Sequence, residues 1–397
     1  QLGFGKAFGV IFDANLTTLI SGLVLLQFGD GSIKGFALSL NVGIIATLFT
    51  GLFVTKTLVD AWFETLSKID FGKLAWFRHE ILIDFLKFRK MAFGFSIITS
   101  LICLIYVMPF VNGSNWGVDF EGGLLTEVRV DKEMDTEEFQ GNFSDWRVQK
   151  VAGANQFLIR TKLPSENALL ADAKAEVTQR LDQALGAGAY TVMSSEAVSN
   201  EVGREFTQKA LLATFLASLG ILIYLAVRFE LVFGIAAVVA LLHDVILAYG
   251  IFNFMGDLKL AGEVTLDVVA ALLVVLGYSV NDTIIVFDRI RENRKMNPSM
   301  PDYKLINLSI SESLNRTIMT VSTVVIVLVI MLFFGGSGLF DFALMLLLGV
   351  VLGTYSSLFT ASALVYVLHE RARKKGKAIT YRNTEQEMQP MLRGSNK

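Results

Sequence analysis

Residues 277–295 read GYSVNDTIIVFDRIRENRK. An apolar run is interrupted by Asn281-Asp282-Thr283, resumes for four residues, and stops at Asp288 and a basic cluster. A charged side chain at the centre of a bilayer costs roughly 3 kcal/mol on insertion scales, so such residues are rare and carry function where they occur. Whether this stretch spans a membrane is decided by the rest of the chain. Its 397 residues are 53% hydrophobic and 18% charged, too apolar a balance for a soluble domain. Several uncharged stretches approach or exceed the roughly 20 residues that cross a bilayer as helix. The chain reads as a polytopic α-helical membrane protein.

Hydropathy places about eight spans, near 14–28, 33–58, 91–111, 207–227, 231–252, 265–287, 317–334 and 339–368. Lys68, Lys73, Arg78, Lys87, Arg89 and Lys90 follow the second span, and Arg289, Arg291, Arg294, Lys295 and Lys304 follow the sixth. With RARKK at 371–375 they all fall on one side if the spans alternate, and the positive-inside rule makes that side cytoplasmic. Both termini are then expected in the cytoplasm. Residues 112–206 lie on the far side; residues 111–206 hold 16 Asp and Glu against 9 Lys and Arg. The single cysteine, Cys103, excludes an intrachain disulfide. Residues 1–13, with one Lys and no small-residue cleavage pattern, do not read as a cleavable signal peptide.

The exported segment reads as a small α+β, ferredoxin-like unit. Strands are expected at 123–130, 147–152, 156–163 and 190–199, with helices at 135–146 and 164–185, giving the β-α-β-β-α-β order of a split βαβ motif. Nothing in it is catalytic, and a binding or spacing role is the plain reading. The first and last span pairs match at an offset of 306: Phe28-Gly29 with Phe334-Gly335, FAL at 36–38 with FAL at 342–344, Gly43 with Gly349, Phe53 with Phe359. Each copy follows an apolar stripe, Phe4, Phe8 and Phe12 or Ile306, Ile310 and Leu314, read as a helix lying at the cytoplasmic interface. Repeated halves are a construction of secondary transporters.

Asp282 sits about 17 residues into the sixth span, with Tyr278 and Ser279 on its face. Asp244 lies about 13 residues into the fifth, beside His243. Asp267 and Asp341 stand near outer mouths, and Arg316 heads a hydroxyl run (Thr317, Thr320, Ser322, Thr323) at the inner end of the seventh. Chain direction puts Arg316 and Asp282 in the same half, close enough to pair, and the carboxylates would form a stepped path for a proton or cation. The alternative is interhelical hydrogen bonding that only holds the bundle. The candidate ion-coupling residues are Asp282, Arg316, Asp244, Asn281, Thr320 and Asp13 of the DANLTT entry to the first span. Asp288 reads as an interface carboxylate among basic residues. No G-x-x-x-x-G-K-[ST] loop is present, and His79-Glu80 lacks the second His of a zinc protease. No catalytic residue, metal site or cofactor is expected.

WGVDFEGG (116–123), HDV (243–245), GYSVNDTIIVFDRIRE (277–292) and SLNRTIMT (313–320) resemble the SecF protein-export family. GFGKAFGVIFDANLTTLI (3–20) with the two spans after it is similar to the end of SecD. The chain therefore resembles a SecD–SecF fusion over about 1–375. On that reading 1–58 are the last two SecD-like spans, 59–90 a basic cytoplasmic linker and 91–111 the first SecF-like span. Residues 112–206 are the periplasmic domain, 207–290 three further spans, 291–316 a cytoplasmic amphipathic segment, 317–370 the last two spans and 371–397 a polar tail. The resemblance implies the resistance-nodulation-division superfamily and an accessory of the SecYEG channel that uses an H⁺ or Na⁺ gradient to draw out unfolded preproteins. It implies SecA, YajC-type or YidC-type subunits as further partners, membrane lipid but no nucleic acid, and the remaining SecD-like half, from the same longer chain or a separate one. The residues matching Asp282 and Arg316 are implicated in ion coupling in that family. The other readings are a small-molecule or lipid exporter, a membrane aspartyl protease built on Asp244 and Asp282, and a passive translocon scaffold.

Overall fold

The computed structural model describes residues 2–29, 31–65, 83–108, 115–143, 146–150, 155–161 and 170–375. Lys68, Lys73, Arg78, the His79-Glu80 pair and the tail beyond Lys375 lie outside these. Among the described residues, eight helical segments are long and apolar enough to cross a membrane. The helices are α1 (Leu2–Phe28), α2 (Gly31–Phe49), α3 (Thr55–Thr65), α4 (Arg89–Tyr106), α5 (Val118–Glu121), α6 (Thr136–Gly141) and α7 (Leu170–Leu185). They continue with α8 (Asn200–Arg228), α9 (Leu231–Asp257), α10 (Leu266–Met296), α11 (Asp302–Phe334), α12 (Ser337–Tyr355) and α13 (Ser362–Lys374). Two π turns, Thr50–Val54 and Ser356–Ala361, join α2 to α3 and α12 to α13.

The 306-residue offset reappears in the elements. α1 ends at Phe28 and α11 at Phe334; α2 and α12 each have 19 residues and begin at Gly31 and Ser337. The π turns begin at Thr50 and Ser356, at the same offset. A π turn opens the i→i+4 ladder by one residue and commonly marks a working part of a helix.

Helix α10 is the axis of the bundle. It packs on α1, α8, α9, α11 and α12, and most of it is buried. Close approach is bought by small residues: a methyl at Gly277 would stand 2.8 Å from the Thr18 Cα, and one at Gly353 would stand 3.1 Å from the Ser279 Cα. The faces of α2 and α4 turned away from the bundle instead carry exposed apolar side chains such as Val42, Ile45, Ile97 and Ile102, as lipid-facing helices do.

One expectation is corrected here. The stripe Ile306–Ile310–Leu314 does not belong to a separate helix lying at the interface. It is the start of the uninterrupted α11, and α10 runs on to Met296. Pro301 stands at the N-cap of α11 and no Pro or Gly follows until Gly335, so nothing breaks it. Ile306 and Ile310 are buried in the same core as Phe85 and Leu86. The backbone of Leu86 donates to Asn307 Oδ1 at 3.0 Å, and Asp84 accepts from Tyr303 at 2.6 Å and Asn307 at 2.9 Å. Apolarity at i, i+4, i+8 marks here a contact with the incoming chain and not with lipid.

The unit between α4 and α8 is a four-stranded antiparallel sheet in the order β2 (Arg147–Lys150), β3 (Gln156–Thr161), β1 (Gly123–Val130), β4 (Tyr190–Val198). β1 alternates inward apolar residues, and Leu124, Val128, Phe157, Ile159, Phe139 and Leu181 form its own core under α6 and α7. The first helix is shorter than the expected 135–146: it ends at Gly141, with Asp135 accepting the Thr136 amide at its start.

A compact joint fastens this unit to the turn between α9 and α10. Trp116 and Val264 form a parallel bridge: the Gly117 amide donates to the Val264 carbonyl and the Val264 amide to Asn115, both at 2.7 Å. Asp119 Oδ2 accepts the Leu266 amide at 2.8 Å, taking one of the orphan donors that open α10. Arg160 Nη1 lies 2.5 Å from Glu263 Oε1, and Arg147 Nη1 is 3.4 Å from the same oxygen. Burial raises the Glu263 carboxyl above its ordinary value, and the two guanidinium groups oppose the shift. Burial likewise raises Asp119, against the pull of the Leu266 amide and Arg160.

Candidate functional site

Asp244 is fully buried on α9 at the meeting of three helices. Its Oδ1 pairs with His243 Nδ1 at 2.8 Å. Its Oδ2 accepts the Ser356 hydroxyl at 2.6 Å and the Ser279 hydroxyl from α10. Ser356 is the first residue of the second π turn, so the break in the α12–α13 helix presents a hydroxyl to the carboxylate. One turn on, Thr360 Oγ1 lies 3.1 Å from Ser96 Oγ of α4, and Tyr355 Oη lies 3.4 Å from it. The π turn is thus tied by polar contacts to α4 and α9, and through Asp244 to α10.

Asp282 follows Ser279 by three residues and shares its face of α10. It is 7% exposed, and the Thr354 side chain of α12 and the charge of Arg316 act on it. Asp282 and Asp244 thus lie on adjacent, packed helices, and Ser279, on the Asp282 face of α10, is the residue that reaches Asp244. The expected direct pair of Asp282 with Arg316 is not formed within 4.0 Å. The buried face of α11 at this level carries Ser313 and Thr317, and Arg316, one position back, points off it and is exposed. Thr320 does not reach Asp282 either; its hydroxyl donates to the Arg316 carbonyl at 2.9 Å. Asn281 is half-buried on α10, its amide oxygen enclosed without a hydrogen-bond partner.

Asp13 belongs to a second cluster. It accepts the Tyr224 hydroxyl at 2.7 Å and Arg228 Nε at 2.6 Å, both from α8. The charge of Asp288 also acts on Arg228, and Asp288 lies 3.5 Å from Arg291. The Phe229 ring lies beside both guanidinium groups, 5.8 and 5.5 Å from them. Asp341 is no free step of a path, since its Oδ1 accepts the Gly262 amide at 2.7 Å. Asp267 stands in the first turn of α10. Sequence reading missed Ser279 and Ser356 as partners of Asp244, and Tyr224 and Arg228 as partners of Asp13. The last pair did carry a signal, a phenol and a guanidinium at i and i+4 on one face of a span.

Eight spans built on a repeat, carboxylates buried on the central helices and a ferredoxin-like unit on one side together define a transporter-type membrane protein. The description "Protein export membrane protein SecD/SecF, C-terminal" matches residues 178–371. The chain belongs to the SecD/SecF family of protein-export membrane proteins. The SecF translocase subunit of Magnetococcus marinus is 41% identical over 76% of this chain and 96% of its own length. The SecDF subunit of Brucella abortus is 33% identical over 96% of this chain and 50% of its own. The crystal structure of Thermus thermophilus SecDF superposes with a TM-score of 0.80 at 29% identity, covering 93% of this chain and 49% of that one. The chain spans about half the length of the SecDF relatives it matches. The hedgehog release protein Disp of the water bear Hypsibius dujardini shares the fold, with a TM-score of 0.55 at 13% identity.

Proposed function

We propose that this chain acts in a translocon-associated complex that uses a transmembrane H⁺ or Na⁺ gradient to promote preprotein export across the bacterial inner membrane. The observation that carries the reading is Asp282, a carboxylate enclosed on the most buried helix, one turn from the Asp244 cage and within reach of the Arg316 charge. A gradient biases a two-state bundle only through a site whose ion affinity differs between the states. Asp282 supplies such a site, because a shift of α11 against α10 changes its distance from Arg316. In this reading both termini are cytoplasmic and the ferredoxin-like unit faces the periplasm, beside SecYEG and the emerging preprotein. SecA pushes from the other side, YajC-type or YidC-type subunits adjoin, and the remaining SecD-like portion completes the assembly. No residue is assigned a catalytic role, and the coupling ion takes the place of a cofactor.

The test is preprotein release from membranes holding the full complex, with and without an ion gradient. The Asp282→Asn variant keeps shape and hydrogen bonding and removes the exchangeable charge. It is expected to insert normally and to lose the gradient's stimulation. Wild-type stimulation in this variant would refute the reading and leave Asp282 as interhelical glue.

A further inference from the structure

The joint between the exported unit and the outer end of α10 has no part in the ion site, yet it is built with unusual density for a domain contact. A backbone bridge, a side-chain cap and an ion pair fall within four consecutive residues, Glu263–Leu266. Arg160 extends the fastening inward: it also donates to the Trp116 carbonyl at 2.5 Å and to Glu121 at 3.1 Å, and it is itself on the central pairing of β3 with β1. Glu263 is therefore connected through one guanidinium to the middle of the sheet. On the other side, Leu266 is the first residue of the helix that carries Ser279 and Asp282. α8 adds a second hold, since a methyl at Gly203 would stand 2.6 Å from the Phe120 carbonyl oxygen, so the chain leaving the unit is packed against the chain entering it.

Resting on the ion-coupled reading above, we infer that Asp119, Arg160 and Glu263 are positioning residues that make α10 and the exported unit move as one body. A displacement of α10 at Asp282 is then delivered to the preprotein side as a displacement of the sheet. Neither the backbone bridge nor the cap tolerates sliding, because each ties one named amide to one named acceptor. The opposite design, a latch that must open in each cycle, would use exposed and individually weak contacts; here Arg160 and Glu263 are 10% and 18% exposed in their side chains.

The two designs are separated by one variant in two states. Arg160→Cys with Glu263→Cys, in a Cys103→Ser background and in the full complex, cuts the ion pair; a short bismaleimide then joins the same two positions. Gradient-stimulated preprotein release is expected to fall in the open state and to return after cross-linking, and the return shows that the variant is folded. Stimulation that survives in the open state, that disappears only on cross-linking, or that is absent in both overturns the inference. The second measurement does not involve export. Asp119→Ala is expected to speed hydrogen exchange at the Leu266 amide. If wild-type protein shows no gradient stimulation at all, the ion-coupled reading fails, and the joint is judged by this exchange alone: a Leu266 amide as protected as in wild type overturns it.

Discussion

Two buried carboxylates on neighbouring helices are held in different ways, and the difference assigns their roles. Three donors from three helices converge on Asp244. Its removal leaves the His243 ring nitrogen and the Ser279 hydroxyl enclosed without this acceptor, while Ser356 keeps the Gly353 carbonyl at 3.1 Å, and each such loss costs on the order of 1–3 kcal/mol. Asp244→Ala is therefore expected to lower stability by about 3 kcal/mol, measured as thermal unfolding in detergent, whereas Asp282→Asn is expected to unfold close to wild type. The same logic applies at Asp13. Arg228→Ala strands a buried carboxylate and is expected to cost about 3 kcal/mol, while Tyr224→Phe removes one hydrogen bond and costs about 1 kcal/mol; a comparison of the two melting curves checks the order. These residues also mark what sequence can yield. Asp13, Asp244 and Asp282 stand out because lipid tolerates few charges. Arg228 does not announce itself as the partner of Asp13, for the two are 215 positions apart and nothing in spacing connects them.

At the scale of elements, hydropathy found the eight spans because each must satisfy its backbone within itself and present apolar surface. It misjudged the entry to α11, since periodicity reports that one face is apolar and is silent on what covers it. The cover is the segment from Ile83 to Phe88, clipped by Asp84. The Tyr303 hydroxyl, foremost, holds the Asp84 carboxyl below its ordinary value, with the Lys87 amide and Asn307 assisting. A carboxyl lowered in the folded state contributes stability above its free value, near pH 4, and loses it as pH falls through the lowered one. The clip is thus expected to persist at neutral and mildly acid pH, and Asp84→Ala to expose this segment to protease at pH 7. Packing of α10 on α1 gives another test. Gly277→Ala drives a methyl into backbone at Thr18 and is expected to cost about 1–3 kcal/mol, read from thermal unfolding; a melting point unchanged from wild type would show that α1 yields freely.

For the whole molecule, the orientation expected from charge bias is checked by labelling. Thr191→Cys on β4 is expected to react with an impermeant maleimide from the periplasmic side, and Ser299→Cys only after the membrane is opened; both positions are exposed. Labelling of the second in intact cells would invert the topology. Eight spans, the split βαβ order and the repeat were all legible, because lipid, strand alternation and duplication each leave a regular trace. The joint at Glu263–Leu266 left none, as it unites residues more than a hundred positions apart, Arg160 with Glu263 and Asp119 with Leu266 among them.

The shared register of the two π turns makes the hairpins around them cassettes. Residues 31–54 and 337–360 are equal in length, carry Phe-Ala-Leu and Gly at the same places, and turn from α to π at the same step. Transplanting the second into the place of the first preserves chain length and every lipid-facing turn, so membrane insertion should survive. The reverse exchange brings Thr47 to the place of Gly353, where a methyl alone already meets the Ser279 Cα at 3.1 Å. The two copies are one-way replacements: the first keeps the freedom of a lipid-facing hairpin, and the second is fitted so closely to α10 that only its own residues fill the place.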